Sequence, residues 1–360
     1  MTQIRAWKFQ KAGEPFSFAE SAMPKPAPGE VLVRVAGCGV CHTDLGYVYD
    51  SVRTVKPLPL TLGHEISGFV EEVGAGAKEW MGKAVIIPAI LPCGECDLCK
   101  KGRRSICRRQ KMPGNHIDGG FASHIVVPSR FLCAVHVRNE NEHFGDSGVT
   151  LKELSVVADA VTTPYMAIKR SGLAKGDLAI FVGVGGIGGF GVQLAAALGA
   201  TVVAVDISDK RLQFMKEHGA EAIFNSKEIN GKELRRAIGA FAAERKLPSY
   251  EWKIFETSGS AAGQELAFGL LTFGAHLAVV GYTMEQPALR LSNLMAYDAQ
   301  ASGNWGCDPV YYREVLDLVK SGKIKLAPFV ELHPLNQINE IFNWAHHKKL
   351  ERRAVLIPEK

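Results

Sequence analysis

The rhythm of hydrophobic and polar positions changes near Leu151. Before it, short β-branched runs alternate with Gly and Pro turns: "EVLVRVAGCGVC", "LTLGHEISGFVEEVG", "KAVIIPAI" and "GFASHIVVP". Such runs predict a β-rich domain of short strands. From about Leu151 the texture becomes helical and then alternates. "DLAIFVG" precedes an Ala/Leu-rich helix ending at "LGA", and "TVVAVDIS" precedes a helix through Lys216. "EAIF", a helix near 231–245, "WKIFETSG", a helix near 261–271 and "HLAVVGY" continue the series. This spacing predicts right-handed βαβ units on a doubly wound parallel sheet. After Trp305 come one amphipathic helix, in "PVYYREVLDLVKSGKI", and a terminal strand, "RRAVLIP".

At 360 residues the chain has length for roughly two domains. With 47% hydrophobic and 22% charged residues its composition is globular. The net charge of +5 permits anionic ligands, but the basic residues are spread along the chain, which argues against a nucleic-acid surface. The N-terminus, "MTQIRAWKFQKAG", has neither the apolar core nor the cleavage site of a secretory signal, so a cytoplasmic location is expected. Leu178 to Val205 is uncharged and long enough to span a bilayer. Yet its six glycines in "GVGGIGGFG" each weaken a helix by roughly 1 kcal/mol against alanine. A strand, a tight turn and a buried helix fit better, and no membrane association is expected.

"GVGGIG", Gly183 to Gly188 with Gly186 and Ile187 inside it, follows a predicted strand and opens a predicted helix. In that context Gly183 suits a tight turn, Gly185 lets a pyrophosphate approach the backbone, and Gly188 allows close helix–strand packing. Asp206 ends the next strand, where a carboxylate accepts hydrogen bonds from ribose hydroxyls and repels a 2′-phosphate, favouring NAD. Its alternative is an N-cap for the following helix. Lys210 and Arg211 just downstream leave room for NADP.

Cys93, Cys96, Cys99 and Cys107 have the spacing of four thiolates able to close a tetrahedron around a structural zinc. Nearby Arg103, Arg104, Arg108, Arg109 and Lys111 raise the alternative of a nucleic-acid zinc module, but no reading helix or stacking aromatic accompanies them. "GVCHTD" and "GHEISG" supply a second set, Cys41 with Thr43 and Asp44, and His64 with Glu65. One thiolate and one imidazole are too few for a closed site, so a third ligand must come from elsewhere. Cys38 and Cys41 also have redox-pair spacing, without the thioredoxin-like setting such a pair needs.

Taken together, "CGVCHTD", "GHEISG", the four-cysteine loop, "ADAVTTPYMAI", "GVGGIG" and Asp206 resemble, over nearly the whole chain, the zinc-containing medium-chain alcohol dehydrogenases. The resemblance implies a GroES-like β-rich catalytic domain at 1–158 and 305–360, carrying the zinc lobe 93–107, and a Rossmann NAD-binding domain at 159–304. It implies two Zn²⁺ per chain and a homodimer or homotetramer. Cys41, His64 and Asp159 become ligands of a catalytic zinc, Asp159 standing where many members have cysteine; a helix-terminal carboxylate is its alternative. Glu65 becomes a residue that approaches that zinc, Asp44 the carboxylate that orients His64, and Thr43 the hydroxyl that takes the alcohol's proton. Where many members read "CHTDLH", this chain reads "CHTDLG", with Gly46 in place of a relay histidine. The implied reaction is NAD-dependent oxidation of a secondary alcohol to a ketone. Within the family, the resemblance extends to the dehydrogenases that oxidise 6-hydroxycyclohex-1-ene-1-carbonyl-CoA in anaerobic benzoyl-CoA degradation, which implies a CoA-thioester substrate. Simple secondary or cyclic alcohols are the alternative substrates, and a non-catalytic zinc- and NAD-binding protein is the alternative class.

Overall fold

Strand Glu30–Gly39 is the organising element of the first half of the chain. In the computed structural model, which describes residues 3–359, the chain divides into two units. One holds the residues up to Thr162 and from Gly306 onward, the other Thr163–Trp305. In the first unit, Glu30–Gly39 pairs antiparallel with Glu65–Val73, His124–Pro128 and Arg353–Ile357 inside a seven-stranded sheet. Its register sets Gly39 opposite Glu65 and Cys38 opposite both Ile66 and Leu356. The end of one strand thus meets the start of another. Cys41, two residues past Gly39, is thereby brought near His64, one residue before Glu65.

The core beneath that junction is apolar, with Val31, Val33, Val35, Ile66, Val70 and Leu356 all buried. Phe16, Phe121 and Phe342, from three distant segments, meet edge-to-face with centroids 4.7 to 6.4 Å apart. Each such ring pair contributes about 0.5–1.5 kcal/mol beyond its buried area. Because these rings tie the N-terminal, middle and C-terminal parts of the unit together, they fix the strands that carry the site.

In the second unit the predicted alternation is present. Its strands are β1 (Leu178–Val182), β2 (Thr201–Asp206), β3 (Ala222–Asn225), β4 (Lys253–Glu256), β5 (His276–Val279) and β6 (Gln300–Gly303). All neighbours are parallel, in the order β3-β2-β1-β4-β5-β6. That is the Rossmann strand order, with ligands expected at the carboxyl ends of the strands. β1 is buried throughout, as a parallel strand covered on both faces must be. The uncharged stretch from Leu178 to Val205 is β1, helix Gly186–Ala197 and β2. Among the described residues no helix is long and apolar enough to cross a membrane.

Several elements carry no pattern singled out in the sequence. They include strands Gln3–Phe9 and Ser17–Ala22, helix His42–Tyr49, strand Val330–Pro334 and helix Ile338–His346. The helical texture after Leu151 begins as a six-residue 3-10 helix, Glu153–Ala158, before helix Thr162–Arg170.

Candidate active site and metal centres

Helix His42–Tyr49 starts directly after Cys41. Asp44, fully buried, accepts the Cys41 N–H at 3.1 Å through Oδ2 and the Gly63 N–H at 3.2 Å through Oδ1. One carboxylate therefore pins both segments that bear the candidate ligands. It faces Nδ1 of His64 at 3.6 Å, beyond hydrogen-bond range, so its hold is on the backbone more than on the ring. Gly63 takes φ +94° just before His64, a conformation that a side chain would strain.

Asp159 ends the 3-10 helix Glu153–Ala158 and turns its carboxylate inward. Its Oδ2 lies 3.6 Å from Cys41 Sγ and 3.5 Å from His64 Nε2. Asp159 terminates the 3-10 helix and at the same time lies beside Cys41 and His64, where it could serve as a third ligand. Ligand atoms of Cys41, His64, Glu65 and Asp159 all lie within 4.8 Å of one another. Thr43 Oγ1 is 3.8 Å from Cys41 Sγ. Burial alone would lower the His64 pKa, but Asp44 and Cys41 more than offset it and raise it well above the usual range. Burial pushes Glu65 up to about 7, against the opposing pull of Arg353. Glu65 Oε2 and His64 Nδ1 are buried without a hydrogen-bond partner. Thiolate, imidazole and carboxylate converging in a dry site, with polar atoms left over, fit a divalent cation with an open position.

Cys93, Cys96, Cys99 and Cys107 form a separate group whose sulfurs lie within 4.8 Å of one another. None is in a disulfide. The N–H groups of Glu95 and Cys96 point at Cys93 Sγ (3.4 and 3.3 Å), and those of Cys93 and Arg109 at Cys107 Sγ (both 3.3 Å). Against desolvation, the donors to Cys93 bring its thiol down to about 6. Burial and its neighbouring sulfurs push Cys99 up to about 12. Four sulfurs with backbone donors and no open side fit a structural zinc. Three of the five neighbouring cations are paired within the unit: Arg104 with Asp308 (3.3 Å), Arg109 with Glu95 (3.4 Å) and Lys111 with Glu30 (3.6 Å). Cys38, by contrast, lies in the apolar core, where burial raises its thiol pKa.

In the second unit, Gly183 has φ +88°, and a Cβ there would lie 2.4 Å from Ser258 Cα. A Cβ on Gly188 would come 2.0 Å from Gly183 O, whereas one on Gly185 would meet nothing within 4 Å. The first and third glycines are thus required by packing, and the second faces open space. No side chain caps helix Gly186–Ala197, so the first-turn N–H groups of Gly186 and Ile187 remain for a phosphate. Asp206 is not the N-cap of the next helix; Ser208 is, accepting from Arg211 N. Instead the Asp206 carboxylate accepts the N–H groups of Val184 (2.8 Å), Ile207 (2.8 Å) and Ser208 (3.0 Å). Arg211 stands 3.9 Å from it.

Residues 27–137 match the alcohol dehydrogenase GroES-like domain, and residues 186–321 match the zinc-binding dehydrogenase domain. An alcohol dehydrogenase of Geobacillus stearothermophilus is 30% identical over 98% of this chain and 99% of its own length. A second from the same organism is 32% identical over 97% and 96%. The chain belongs to the zinc-containing medium-chain alcohol dehydrogenases. As a member it is an oxidoreductase with zinc-dependent alcohol dehydrogenase activity. The fold of this dehydrogenase is that of the alcohol dehydrogenase from Aeropyrum pernix, at TM-score 0.85 and 28% identity over 98% of this chain and 100% of that one. It is also that of acetophenone reductase from Geotrichum candidum in complex with NAD, at 0.82 and 25% over 99% and 98%. Zinc and a nicotinamide dinucleotide are accordingly its cofactors.

One functional neighbour escaped sequence reasoning. Arg353, from the terminal strand, places Nη1 2.8 Å from Glu65 Oε1 and 3.1 Å from Val40 O. Gly39 makes room for the other oxygen, since a Cβ there would lie 2.1 Å from Glu65 Oε2. Only the antiparallel register could have revealed this pair, because nothing local in "ERRAV" points to Glu65.

Proposed function

We propose that this dehydrogenase oxidises 6-hydroxycyclohex-1-ene-1-carbonyl-CoA to the 6-oxo thioester, with NAD as hydride acceptor. The observation that carries the reaction type is the convergence of Cys41, His64 and Asp159 on one small volume. Cys41, His64 and Asp159 would hold a zinc ion, which would supply a Lewis acid able to lower the pKa of a substrate hydroxyl. Thr43, beside Cys41, would accept the alcohol O–H proton while passing its own hydroxyl proton onward, as the carbinol hydrogen transfers with its electron pair to the nicotinamide. Gly46 offers no side chain to carry that proton onward, so the last relay step uses water or another residue. Glu65 can approach the ligand set when ligands exchange, and Arg353 tethers it otherwise. Gly183, Gly185, Gly186, Ile187 and Gly188 receive the pyrophosphate. Asp206 receives the adenosine ribose, with Arg211 at its side.

The substrate reading rests on overall sequence likeness, including "NEHFGDSGVTLKELSVVADAVTTPYMAIKRSG" and "ASGNWGCDPVYYREVLDLVKSGKIK". Charge supports it. Lys348, Lys349 and Arg352 are exposed in "HHKKLERR", with Glu351 the only acid in that stretch, which suits a polyanionic nucleotide tail. Remote contacts to that tail would help position the reacting carbon. The test is NADH formation from cyclohexanol, the free 6-hydroxycyclohexenecarboxylate and its CoA thioester. Much higher kcat/KM for the thioester supports the reading, with binding of the thioester weakened selectively by salt. Equal efficiency with cyclohexanol overturns it and leaves a dehydrogenase of simple secondary alcohols.

A further inference from the structure

We propose that Glu256 is a positioning residue for the cofactor, its carboxylate fixing the turn Thr257–Gly259 against the glycine-rich loop. Glu256 ends β4 and is fully buried. Its Oε1 accepts three hydrogen bonds: from Ser258 N (2.8 Å), Ser258 Oγ (2.6 Å) and Gly259 N (3.2 Å). Its main-chain oxygen accepts from Val280 N (2.9 Å) and Gly281 N (3.0 Å) at the end of β5. The turn held in this way bears directly on the loop. Thr257 Oγ1 donates to Gly183 O at 2.6 Å, and Thr257 N donates to Val182 O at 2.9 Å. Ser258 fills the space that a Cβ on Gly183 would need, and a Cβ on Gly188 would come 2.7 Å from Thr257 Oγ1. On the far side, a Cβ on Gly281 would come 2.3 Å from Gly259 N and 2.7 Å from Glu256 Oε2.

A buried carboxylate is a costly way to satisfy a turn, since taking a charge out of water is unfavourable unless partners replace it. Only one of the two oxygens here has partners; Oε2 has none. The arrangement has a counterpart on the other side of β1. There the buried Asp206, at the end of β2, accepts Val184 N of the same loop. β2 and β4 are the two neighbours of β1 in the sheet. Two buried carboxylates therefore hold the loop that follows β1 from opposite sides, one directly and one through Thr257 and Ser258. Because the pyrophosphate needs the loop's N–H groups aimed in advance, loosening either hold should weaken dinucleotide binding.

The inference rests on reading the glycine-rich loop as the NAD site. It is tested on the full-length zinc enzyme by titrating NADH fluorescence, together with KM for NAD, KM for alcohol and zinc content. Glu256→Ala should weaken NADH binding by about tenfold and raise KM for NAD, with zinc content and KM for alcohol near wild type. Glu256→Gln, which keeps one acceptor oxygen, should recover part of that loss. Ser258→Ala, which keeps the carboxylate and both backbone donors, should weaken NADH by about threefold. Folded Glu256→Ala and Ser258→Ala proteins with wild-type NADH affinity overturn the proposal, even at lower Tm. If Glu256→Ala does not fold, Ser258→Ala decides alone. Wild-type protein that binds no NADH overturns the reading of the loop itself, and this proposal with it.

Discussion

Nε2 of His64 lies 3.5 Å from Oδ2 of Asp159, joining a strand entry to the end of a 3-10 helix far along the chain. The same oxygen is 3.6 Å from Cys41 Sγ, so Asp159 closes the triangle that two local motifs leave open. Asp159→Ala should therefore lower zinc affinity at this site by more than about 100-fold, exceeding the ~10–100-fold typical of losing an outer partner. Asp159→Cys should restore much of it, because a thiolate supplies the same charge. Competition with a chromogenic chelator measures both; unchanged affinity in Asp159→Ala would remove it from the ligand set.

The four-cysteine group makes a prediction about thiol reactivity once its metal is removed. Cys93, brought down to about 6, is mostly thiolate at pH 7, whereas Cys99, pushed up to about 12, stays protonated. The thiolate is the nucleophile, so iodoacetamide should modify Cys93 before Cys99. The Cys93 rate should fall as pH drops through about 6, since its folded-state pKa is depressed and protonation returns only below it. Peptide mass spectrometry over a pH series reads this directly.

For cofactor choice, Asp206 has two tasks. At the proposed ribose site its charge would repel a 2′-phosphate, and its oxygens accept the N–H groups of Val184, Ile207 and Ser208. Asp206→Asn should relax discrimination against NADP while keeping acceptor capacity. Asp206→Gly should also weaken NAD by roughly tenfold or more, because the anchor is lost with the charge. Steady-state KM values for both dinucleotides check this. Equal use of NADP by wild type would contradict the role given to Asp206.

Thr43→Ala should reduce turnover by about 10²–10⁴-fold, the usual worth of a positioned proton acceptor. Gly46→His should leave the enzyme active and change mainly the pH profile of kcat. A Cβ at Gly46 would meet only Val52 Cγ2 at 3.5 Å and Asp50 Oδ2 at 3.9 Å, so the substitution starts without a clash. Wild-type turnover in Thr43→Ala would place the first proton transfer elsewhere.

The parallel sheet was legible through β5 because its strands are short, apolar and separated by helices; β6, Gln300–Gly303, was not, since "QASG" carries no apolar run. The glycine fingerprint was legible because packing forces Gly183 and Gly188 to be glycine. The helix after Cys41 was not. Asp44, Leu45, Gly46, Tyr47 and Val48 are buried in succession, which erases the polar face that a surface helix would show. Strand Ser17–Ala22 is largely exposed and rich in Ser and Ala, so no alternation marked it. The hold of Arg353 on Glu65 and that of Glu256 on its turn depend on register and on side-chain burial, which spacing along one chain does not encode.

The most direct measurement is zinc content alongside turnover, by elemental analysis of freshly purified wild type, Cys41→Ser and Cys99→Ser. Two ligand sets of different openness predict two zinc ions per chain in active wild type. Cys41→Ser should retain one zinc and its fold while losing NADH formation. Cys99→Ser should chiefly lose stability, since a closed structural site contributes folding energy outright. Fully active wild type with a single zinc, or an active Cys41→Ser enzyme, would contradict the assignment of an open catalytic site beside a closed structural one.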